Sequence, residues 1–466
     1  MKRILAILLL LFTFAQCIAC KPSSESKEKE YGEEIPVYSS NENIMFGMWI
    51  GVPGTLPIFD EDNNYISDGQ PIPDDKFREY YQDIKDAGFT VADVGYYGVN
   101  YQSNLRALAM AEEVGVKQLV YDANLLNLLK RTDLTDDQII RQVKVNYAEY
   151  LSSPAFAGIR VKDEPTFNEI PQYEHMCDLW NQIAPGTIFY INLFPAIASK
   201  AVTAEDYKDY VKQYTKYIDT NYVSYDHYVL KYNKHGNYVS RDFIFNLTQV
   251  KIAAPERKAW TIVQSIKYGG GNRELTSAAD CGFQAYTALA CGYTGISWFC
   301  FWPPLPFDGA TNFGDGAYDR KGNKTPTYDY IKETQLEIKA FEEVYLNFDW
   351  KGIICNVGTE NDNGGENDDF AVSQEAWVTS DRIKSVTTQQ DTLIGVFKDK
   401  ENRDGFMVVN YTEPSAGLNN KVKLTFNDCQ RAIVITDGVQ SVVDVKNGVL
   451  EFTQKAGDGT FVIPLR

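Results

Sequence analysis

The sequence predicts an α/β protein: a (β/α)8 TIM barrel followed by a C-terminal antiparallel β-sandwich domain. The chain has 466 residues, and a single core rarely grows beyond roughly 250–300 residues, so two domains are expected. Eight short apolar runs alternate with amphipathic helical stretches between residues 46 and 302. Such alternation implies parallel crossovers, and eight units fit a barrel. A doubly wound open sheet is the alternative, but no Gly-rich phosphate loop follows the first strand.

The predicted elements follow from periodicity. The eight barrel strands have strand length and are enriched in β-branched or aromatic residues; they span residues 46–51, 90–98, 117–124, 157–165, 188–195, 222–230, 258–266 and 295–302. Amphipathic helices are predicted over residues 74–87, 104–114, 135–151, 170–183, 204–219, 276–291 and 325–344. After residue 350 the helical period disappears, and short strands alternate with turns, which is typical of a sandwich.

The chain is divided into four parts by these patterns. Residues 1–20 are predicted to be a lipoprotein signal peptide, 21–42 a flexible tether, 43–347 the catalytic barrel and 350–466 the sandwich. Lys2 and Arg3 precede an apolar run that is too short to span a membrane. The segment 17–20 resembles a bacterial lipobox, which implies that Cys20 is acylated; a plain secretory signal is the alternative. The following acidic stretch resembles the export signal of surface lipoproteins in Bacteroidetes. We therefore expect a lipid anchor in the outer membrane, with the protein on the cell surface or the periplasmic face.

Composition limits the function. Aromatic residues make up 13% of the chain, and rings with a polar handle suit surfaces that bind amphipathic ligands such as sugars. A net charge of −18 argues against nucleic acid as a partner, because phosphates need Lys and Arg. No CxxC pair or zinc-ligand spacing occurs. The acidic segments 60–64 and 360–369 do not fit an EF-hand. No metal and no cofactor are therefore predicted.

Glu164 is the central candidate for catalysis. It lies at the end of the fourth predicted strand, which Pro165 terminates because proline cannot donate to the ladder. Active sites of such barrels lie at the C-terminal ends of the strands. A carboxylic acid at that mouth, between aromatic walls, can have a raised pKa and protonate a leaving-group oxygen. An ion pair with Lys162 or Arg160 is the alternative.

Several motifs together resemble the large clan of retaining glycoside hydrolases, particularly family 42-type and related Bacteroidetes glycosidases. They are Asp163-Glu164-Pro165, Asp226-His227-Tyr228, the Trp-rich eighth strand over 297–302, the helix entry over 324–328 and the sandwich that follows. The resemblance implies an acid/base Glu at the end of the fourth strand, usually after Asn; here Asp163 stands in that position. It also implies a carbohydrate substrate, and with the expected location it favours other glycan-uptake proteins as partners.

Gln264 departs from that resemblance. Retaining members of the clan carry a nucleophilic Glu at the end of the seventh strand, where this chain has Gln264, and an amide is not an effective nucleophile. Three interpretations stay open. The second carboxylate is elsewhere, with Asp226 the best candidate, about 6.5–9.5 Å from Glu164 for inversion or about 5–5.5 Å for retention. Alternatively the substrate assists, as in barrel hexosaminidases with an adjacent Asp-Glu pair like Asp163-Glu164. Alternatively the site binds sugars without cleaving them.

The predicted sugar-binding residues lie at strand ends. Trp298 and Trp302 share strand parity, and Trp298 is expected to form a floor for a sugar ring, with interior packing as the alternative. For His227 the alternative is a structural hydrogen bond. The full set is Trp49, Tyr96, Tyr97, Asn192, His227, Tyr228, Gln264, Trp298 and Trp302. The leading hypothesis is a glycoside hydrolase with Glu164 as general acid. A glycan-binding surface lipoprotein with a degenerate barrel is the rival, and a structural surface protein is a weaker third.

Overall fold

Eight parallel strands form the first sheet of the computed structural model, which describes residues 33–61, 65–269, 271–304, 313–360, 370 and 373–466. The strands are β1 Met45–Trp49, β2 Val91–Ala92, β3 Lys117–Val120, β4 Phe156–Asp163, β5 Ile188–Leu193, β6 Tyr222–Asp226, β7 Lys258–Gln264 and β8 Gly295–Phe299. Their order in the sheet is β1-β8-β7-β6-β5-β4-β3-β2. Between β1 and β2 the ring is completed by a parallel bridge from Val52 to Val94 and by a 2.9 Å hydrogen bond from the Thr90 amide to the Phe46 carbonyl.

Helices surround this barrel. They are α1 Asp74–Asp86, α2 Tyr101–Val114, α3 Ala123–Leu129, α4 Asp136–Asn146, α5 Ala148–Ser152, α6 Glu174–Ile183, α7 Tyr207–Tyr217, α8 Phe243–Ala253, α9 Ala278–Ala290, α10 Pro326–Lys339 and α11 Glu342–Tyr345. Local sequence explains several of their ends. Capping boxes at Asn100 and Thr135 begin α2 and α4, Gly115 ends α2 in the left-handed conformation, and Pro326 opens α10.

Nine antiparallel strands follow in the described part of the C-terminal region. They are β9 Phe348–Asn356, β10 Ile383–Thr388, β11 Thr392–Asp399, β12 Asp404–Asn410, β13 Asn420–Phe426, β14 Arg431–Thr436, β15 Val439–Asp444, β16 Val449–Gln454 and β17 Gly459–Leu465. One sheet has the order β9-β11-β12-β17-β14-β15 and the other β10-β13-β16. A separate apolar core that includes Ile394, Phe406 and Leu424 lies between them.

The predicted fold class is confirmed: a TIM barrel precedes an antiparallel β-domain. The main deviations are local. The second strand was predicted over 90–98 and covers two residues, and the helix predicted over 135–151 is divided at Tyr147. Residues Ile35–Arg466 form one compact unit, and the predicted boundary between 347 and 350 stays a prediction.

Some predictions lie outside the described residues. These are the signal peptide, Cys20, the first part of the tether, and most of the acidic segment 360–369. Across the residues that are described, no helix is long and apolar enough to cross a membrane.

Candidate functional site

Strand β4 carries an irregularity that brings Arg160 and Asp163 to the same side. The register with β5 shifts between Arg160 and Lys162, and Asp163 then pairs with Asn192. A β-bulge of this kind changes the alternation of side chains along the strand. Arg160 and Asp163 therefore both contact residues at the barrel mouth, although three positions separate them and strict alternation would place them on opposite faces.

Glu164 follows the strand in an unusual backbone conformation. Its φ is 47°, in the left-handed region, which non-glycine residues adopt mainly where the surrounding structure holds them. Its amide donates to the Asn192 carbonyl at 2.8 Å. The turn takes Glu164 out of the alternating strand pattern, so that the Asp163 and Glu164 carboxyl groups both reach the same cluster at the mouth.

Asn192 is the hub of this cluster. Its side-chain amide donates to Asp226 Oδ1 at 2.7 Å and to Asp163 Oδ1 at 3.3 Å. The Asn192 side-chain oxygen accepts a 3.1 Å bond from Ser224. The Tyr228 and Glu164 side chains both lie close enough to Asp226 to affect its pKa. The structure thus brings together the three carboxyl groups that the sequence predicted as catalytic.

The electrostatics of the cluster favour protonated carboxyls. Burial, and then the nearby charge of Asp163, raise the pKa of Glu164 to about 7. Burial, followed by the charges of Glu164 and Asp163, raises the pKa of Asp226 well above its ordinary value. Part of the Asp163 side chain is exposed to solvent, but the surrounding protein displaces much of the water near its carboxyl, and this desolvation raises its pKa too. The raised pKa values of Glu164 and Asp226 mean that the cluster holds a proton near neutral pH.

One side of the mouth is an array of aromatic rings around Arg160. The Arg160 guanidinium carbon lies 5.0 Å from the ring centre of Trp49, 5.5 Å from that of Tyr96 and 5.2 Å from that of Tyr121. A 2.8 Å ion pair with the buried Asp93 fixes the guanidinium. Tyr96 and Tyr121 are 40% and 37% exposed. This side therefore exposes two tyrosine side chains next to a fixed cation.

A second aromatic group lies near the carboxyls on the other side. Tyr228 packs against Phe299 with ring centres 5.0 Å apart and against Tyr268 at 5.7 Å. Tyr268 also contacts Phe313, at 5.1 Å. Burial, followed by the charges of Glu164 and Asp226, raises the pKa of Tyr268. The carboxyl cluster is therefore flanked by aromatic residues on both sides.

Gln264 does not face this cluster. It is completely buried, and its side-chain amide donates to the Arg273 carbonyl at 2.7 Å. Its side-chain oxygen accepts from the Leu230 amide at 3.1 Å and from Asn272 at 2.9 Å. The Gln264 side chain therefore connects the loops after β6 and β7, and both of its polar atoms form hydrogen bonds within that connection.

Substitution of Gln264 by Glu tests this structural role. A carboxylate cannot donate to the Arg273 carbonyl, so two oxygen acceptors would face each other. The free energy of unfolding is therefore expected to fall by about 1–3 kcal/mol, and turnover is not expected to increase. Urea denaturation and glycoside assays measure the two effects. Gln335→Glu is the matched control, because buried Gln335 also donates to a backbone carbonyl, that of Ala87, at 2.7 Å. Increased hydrolysis, or wild-type stability, in Gln264→Glu would contradict the role.

Four further predicted residues are not brought to the cluster. Trp298 is fully buried and donates to Gln335 of α10 at 3.2 Å. Trp302 is fully buried and stacks on Tyr318. The Tyr97 hydroxyl donates to the Pro303 carbonyl at 3.1 Å, and buried His227 lies 3.4 Å from Asp242. The two tryptophans thus pack in the interior, and His227 makes a structural contact; these are the alternatives predicted for them from the sequence.

No family model matches the chain, and no curated protein sequence matches it. Solved structures are similar in chain path. A glycoside hydrolase of family 5 from Bacteroides vulgatus is 13% identical, covers 90% of this chain and 89% of its own, and has a TM-score of 0.49. An Anoxybacillus α-amylase is 10% identical over 91% of this chain and 98% of its own, with a TM-score of 0.49. A β-galactosidase from Marinomonas ef1 is 11% identical over 64% of this chain, with a TM-score of 0.44, and this chain spans 60% of its length.

Sequence reasoning missed several contributors to the site. Arg160 was considered only as an ion-pair partner of Glu164, and Tyr121, Tyr268 and Phe299 were not singled out. Phe299 is the neighbour of Trp298 on β8 and pairs with Trp49 of β1. Its side chain therefore points to the face opposite to that of Trp298, and assigning that opposite face to the site would have predicted Phe299. In the described ranges, no group of His, Cys, Asp and Glu is arranged to hold a metal ion.

Proposed function

We propose that the chain is a glycoside hydrolase that cleaves O-glycosidic bonds of a poly- or oligosaccharide with Glu164 as general acid. The observation that carries the proposal is the Glu164 carboxyl itself, which combines a pKa of about 7 with a place in the carboxyl cluster at the barrel mouth. A general acid works best when its pKa lies near the working pH. The aromatic residues on both sides suit the apolar faces of sugar rings.

The second carboxyl, Asp226, is proposed to share the proton of Glu164. The two carboxyls are close enough to interact directly, whereas the separation is about 5–5.5 Å in retaining enzymes and about 6.5–9.5 Å in inverting ones. The geometry therefore supports Asp226 as a residue that sets the protonation of Glu164 rather than as the nucleophile.

Asp163 supports a substrate-assisted reaction. Neighbouring residues of a strand point in opposite directions, but Glu164 lies in a left-handed turn, so its side chain and that of Asp163 can serve the same site. The accessible Asp163 carboxylate can accept the N–H of a 2-acetamido group, whose carbonyl oxygen then attacks the anomeric carbon while Glu164 protonates the leaving oxygen. Water reopens the resulting ring, and Glu164 takes back a proton. We therefore propose 2-acetamido sugars as the substrate class.

Matched chromogenic glycosides test this function. Each pair carries either a hydroxyl or an acetamido group at carbon 2 of the same 4-nitrophenyl glycoside. We expect nitrophenol release from the acetamido member of at least one pair, at least about 100-fold faster than from its partner, because the nucleophile is held in place. Equal rates within a pair would contradict substrate assistance and leave the hydrolase proposal standing.

Sugar binding without cleavage is the second candidate, favoured by the structural use of Gln264. Calorimetric binding of a glycan, with no product released over days from any glycoside or polysaccharide tried, would support this candidate and overturn the hydrolase. We further propose that Cys20 anchors the protein in the outer membrane, with other glycan-uptake proteins as its partners there. The lipobox-like segment supports the anchor, and the intact mass of protein purified from membranes tests it.

A further inference from the structure

The chain that follows Glu164 is tied to the end of the neighbouring strand. The Glu164 amide donates to the Asn192 carbonyl of β5 at 2.8 Å, which holds the left-handed turn from its N-terminal side. The carbonyl of Pro165, the next residue, accepts a hydrogen bond from the Tyr210 hydroxyl. The first contact restrains the peptide group that precedes the Glu164 side chain, and the second restrains the residue that follows it.

Tyr210 lies on helix α7 and is completely buried. Besides donating to Pro165, its hydroxyl accepts the Phe194 amide at 3.3 Å. Phe194 follows β5 directly, two positions after Asn192, and its carbonyl accepts from Tyr207 at 2.7 Å. One phenol oxygen thus links the segment that carries Glu164 to the segment that carries Asn192, the hub of the carboxyl cluster.

We propose that Tyr210 is a positioning residue for the general acid: its hydroxyl holds the Glu164 turn against strand β5 so that the Glu164 carboxyl meets Asp226. The catalytic part of this inference rests on the proposed function. Without the hydroxyl, the Pro165 carbonyl and the Phe194 amide lose their shared partner, and the left-handed turn loses one of its two restraints. Such conformations persist only where the surrounding structure over-determines them.

Tyr210→Phe removes the one oxygen and preserves the ring. Tyr214→Phe is the matched control, because Tyr214 lies one turn further along α7, is equally buried, and bonds instead to Thr220 at 3.0 Å. We expect Tyr210→Phe to lower kcat by about tenfold or more, as misplaced catalytic groups do, while KM changes by less than about twofold. Tyr214→Phe is expected to retain the wild-type kcat.

A second measurement is independent of turnover. The Glu164 carboxyl, labelled with carbon-13 and assigned by its loss in Glu164→Gln, is titrated by NMR in each variant. In Tyr210→Phe its pKa is expected to move from about 7 toward the ordinary 4.5, because the carboxyl leaves its buried place and moves away from the charge of Asp163; Asp226 and Lys162 are the neighbours that lower this pKa. In Tyr214→Phe it stays unchanged.

The outcomes separate the two proposals. A shifted Glu164 titration in a protein that cleaves no glycoside supports the positioning role and contradicts the hydrolase. An unshifted titration in Tyr210→Phe overturns the positioning role, whatever the kinetics. Equal losses of kcat in the Tyr210 and Tyr214 variants would also overturn it, since a general loosening of α7 would then explain both.

Discussion

Replacement of Glu164 by Gln is expected to lower kcat by about 10²–10⁴-fold, the usual contribution of a positioned general acid. Gln has nearly the same shape as Glu, but it cannot give a proton to the leaving oxygen. We expect the flanking aromatic residues rather than Glu164 to provide most of the glycan binding, so KM is expected to change by less than about threefold. Steady-state kinetics on the best glycoside of the matched pairs provides the measurement.

The pH dependence provides a sharper form of the same prediction. A general acid must be protonated to act, and the pKa of Glu164 is about 7; wild-type kcat/KM is therefore expected to be lost as the pH rises through about 7. Stability follows the same proton. Because the pKa of Glu164 in the folded state lies above its ordinary 4.5, the folded state binds the proton more tightly, and this contribution to stability decreases between about pH 4.5 and 7. In Glu164→Gln both the kinetic limb and this decrease are expected to disappear.

Glu337 offers a matched control. Burial, together with the charges of Asp437 and Asp458, raises its pKa to about 7 as well, but it lies on α10, against the C-terminal sheets. Glu337→Gln is expected to retain kcat and the alkaline kinetic limb. Full turnover in Glu164→Gln, or loss of the same limb in Glu337→Gln, would show that Glu164 is not the proton donor.

The barrel was predictable because its signals are local. Apolar runs of strand length alternate with segments that have the 3.6-residue period of a helix, and this alternation implies parallel crossovers. Element lengths depend on long-range contacts and were predicted less well. Strand β2 ends at Ala92, and the next residue, Asp93, forms an ion pair with Arg160, 67 positions later; no local pattern contains that contact.

The carboxyl cluster was predictable for a similar reason. Glu164 and Asp226 both end barrel strands, and such ends converge at the mouth. The bulge at 160–162 and the left-handed turn at Glu164 were not predictable from alternation, yet they decide which side chains meet. For Trp298 the sequence predicted too much. The tryptophan-rich eighth strand suggested that Trp298 forms the floor for a sugar ring, whereas the strand register places Phe299 beside Trp49 and Trp298 against α10.

The loop after β7 depends on a buried ion-pair network that involves the C-terminal domain. Arg273 contacts Asp280 of α9 through both terminal nitrogens, at 2.9 Å and 2.5 Å, and it also pairs with Glu413. Its side chain is 5% exposed, and that of Asp280 is completely buried. The Arg273 backbone bonds to Leu230 and to Gln264. One guanidinium therefore joins the Tyr268 loop, a barrel helix and the sandwich.

Arg273→Ala is expected to lower the free energy of unfolding by about 3–5 kcal/mol, because removing one partner leaves buried charges without compensation. Asp280 retains only the amide and hydroxyl of Thr276, at 2.6 Å and 3.0 Å. Because Tyr268 lies in the same loop, KM is expected to rise more than kcat falls. Urea denaturation and kinetics measure these effects, and Arg273→Lys, which keeps the charge, is expected to lie between wild type and Arg273→Ala.

Arg131→Ala is the control for the ion pair itself. Arg131 pairs with Asp133 on the surface, where the two side chains are 48% and 64% exposed, and exposed pairs contribute about 1 kcal/mol or less. A loss in Arg273→Ala no larger than that in Arg131→Ala would show that solvent or neighbouring groups compensate Asp280 and Glu413. A large loss confined to the buried pair would mean that the sandwich stabilises the loop that carries Tyr268, and hence one side of the candidate site.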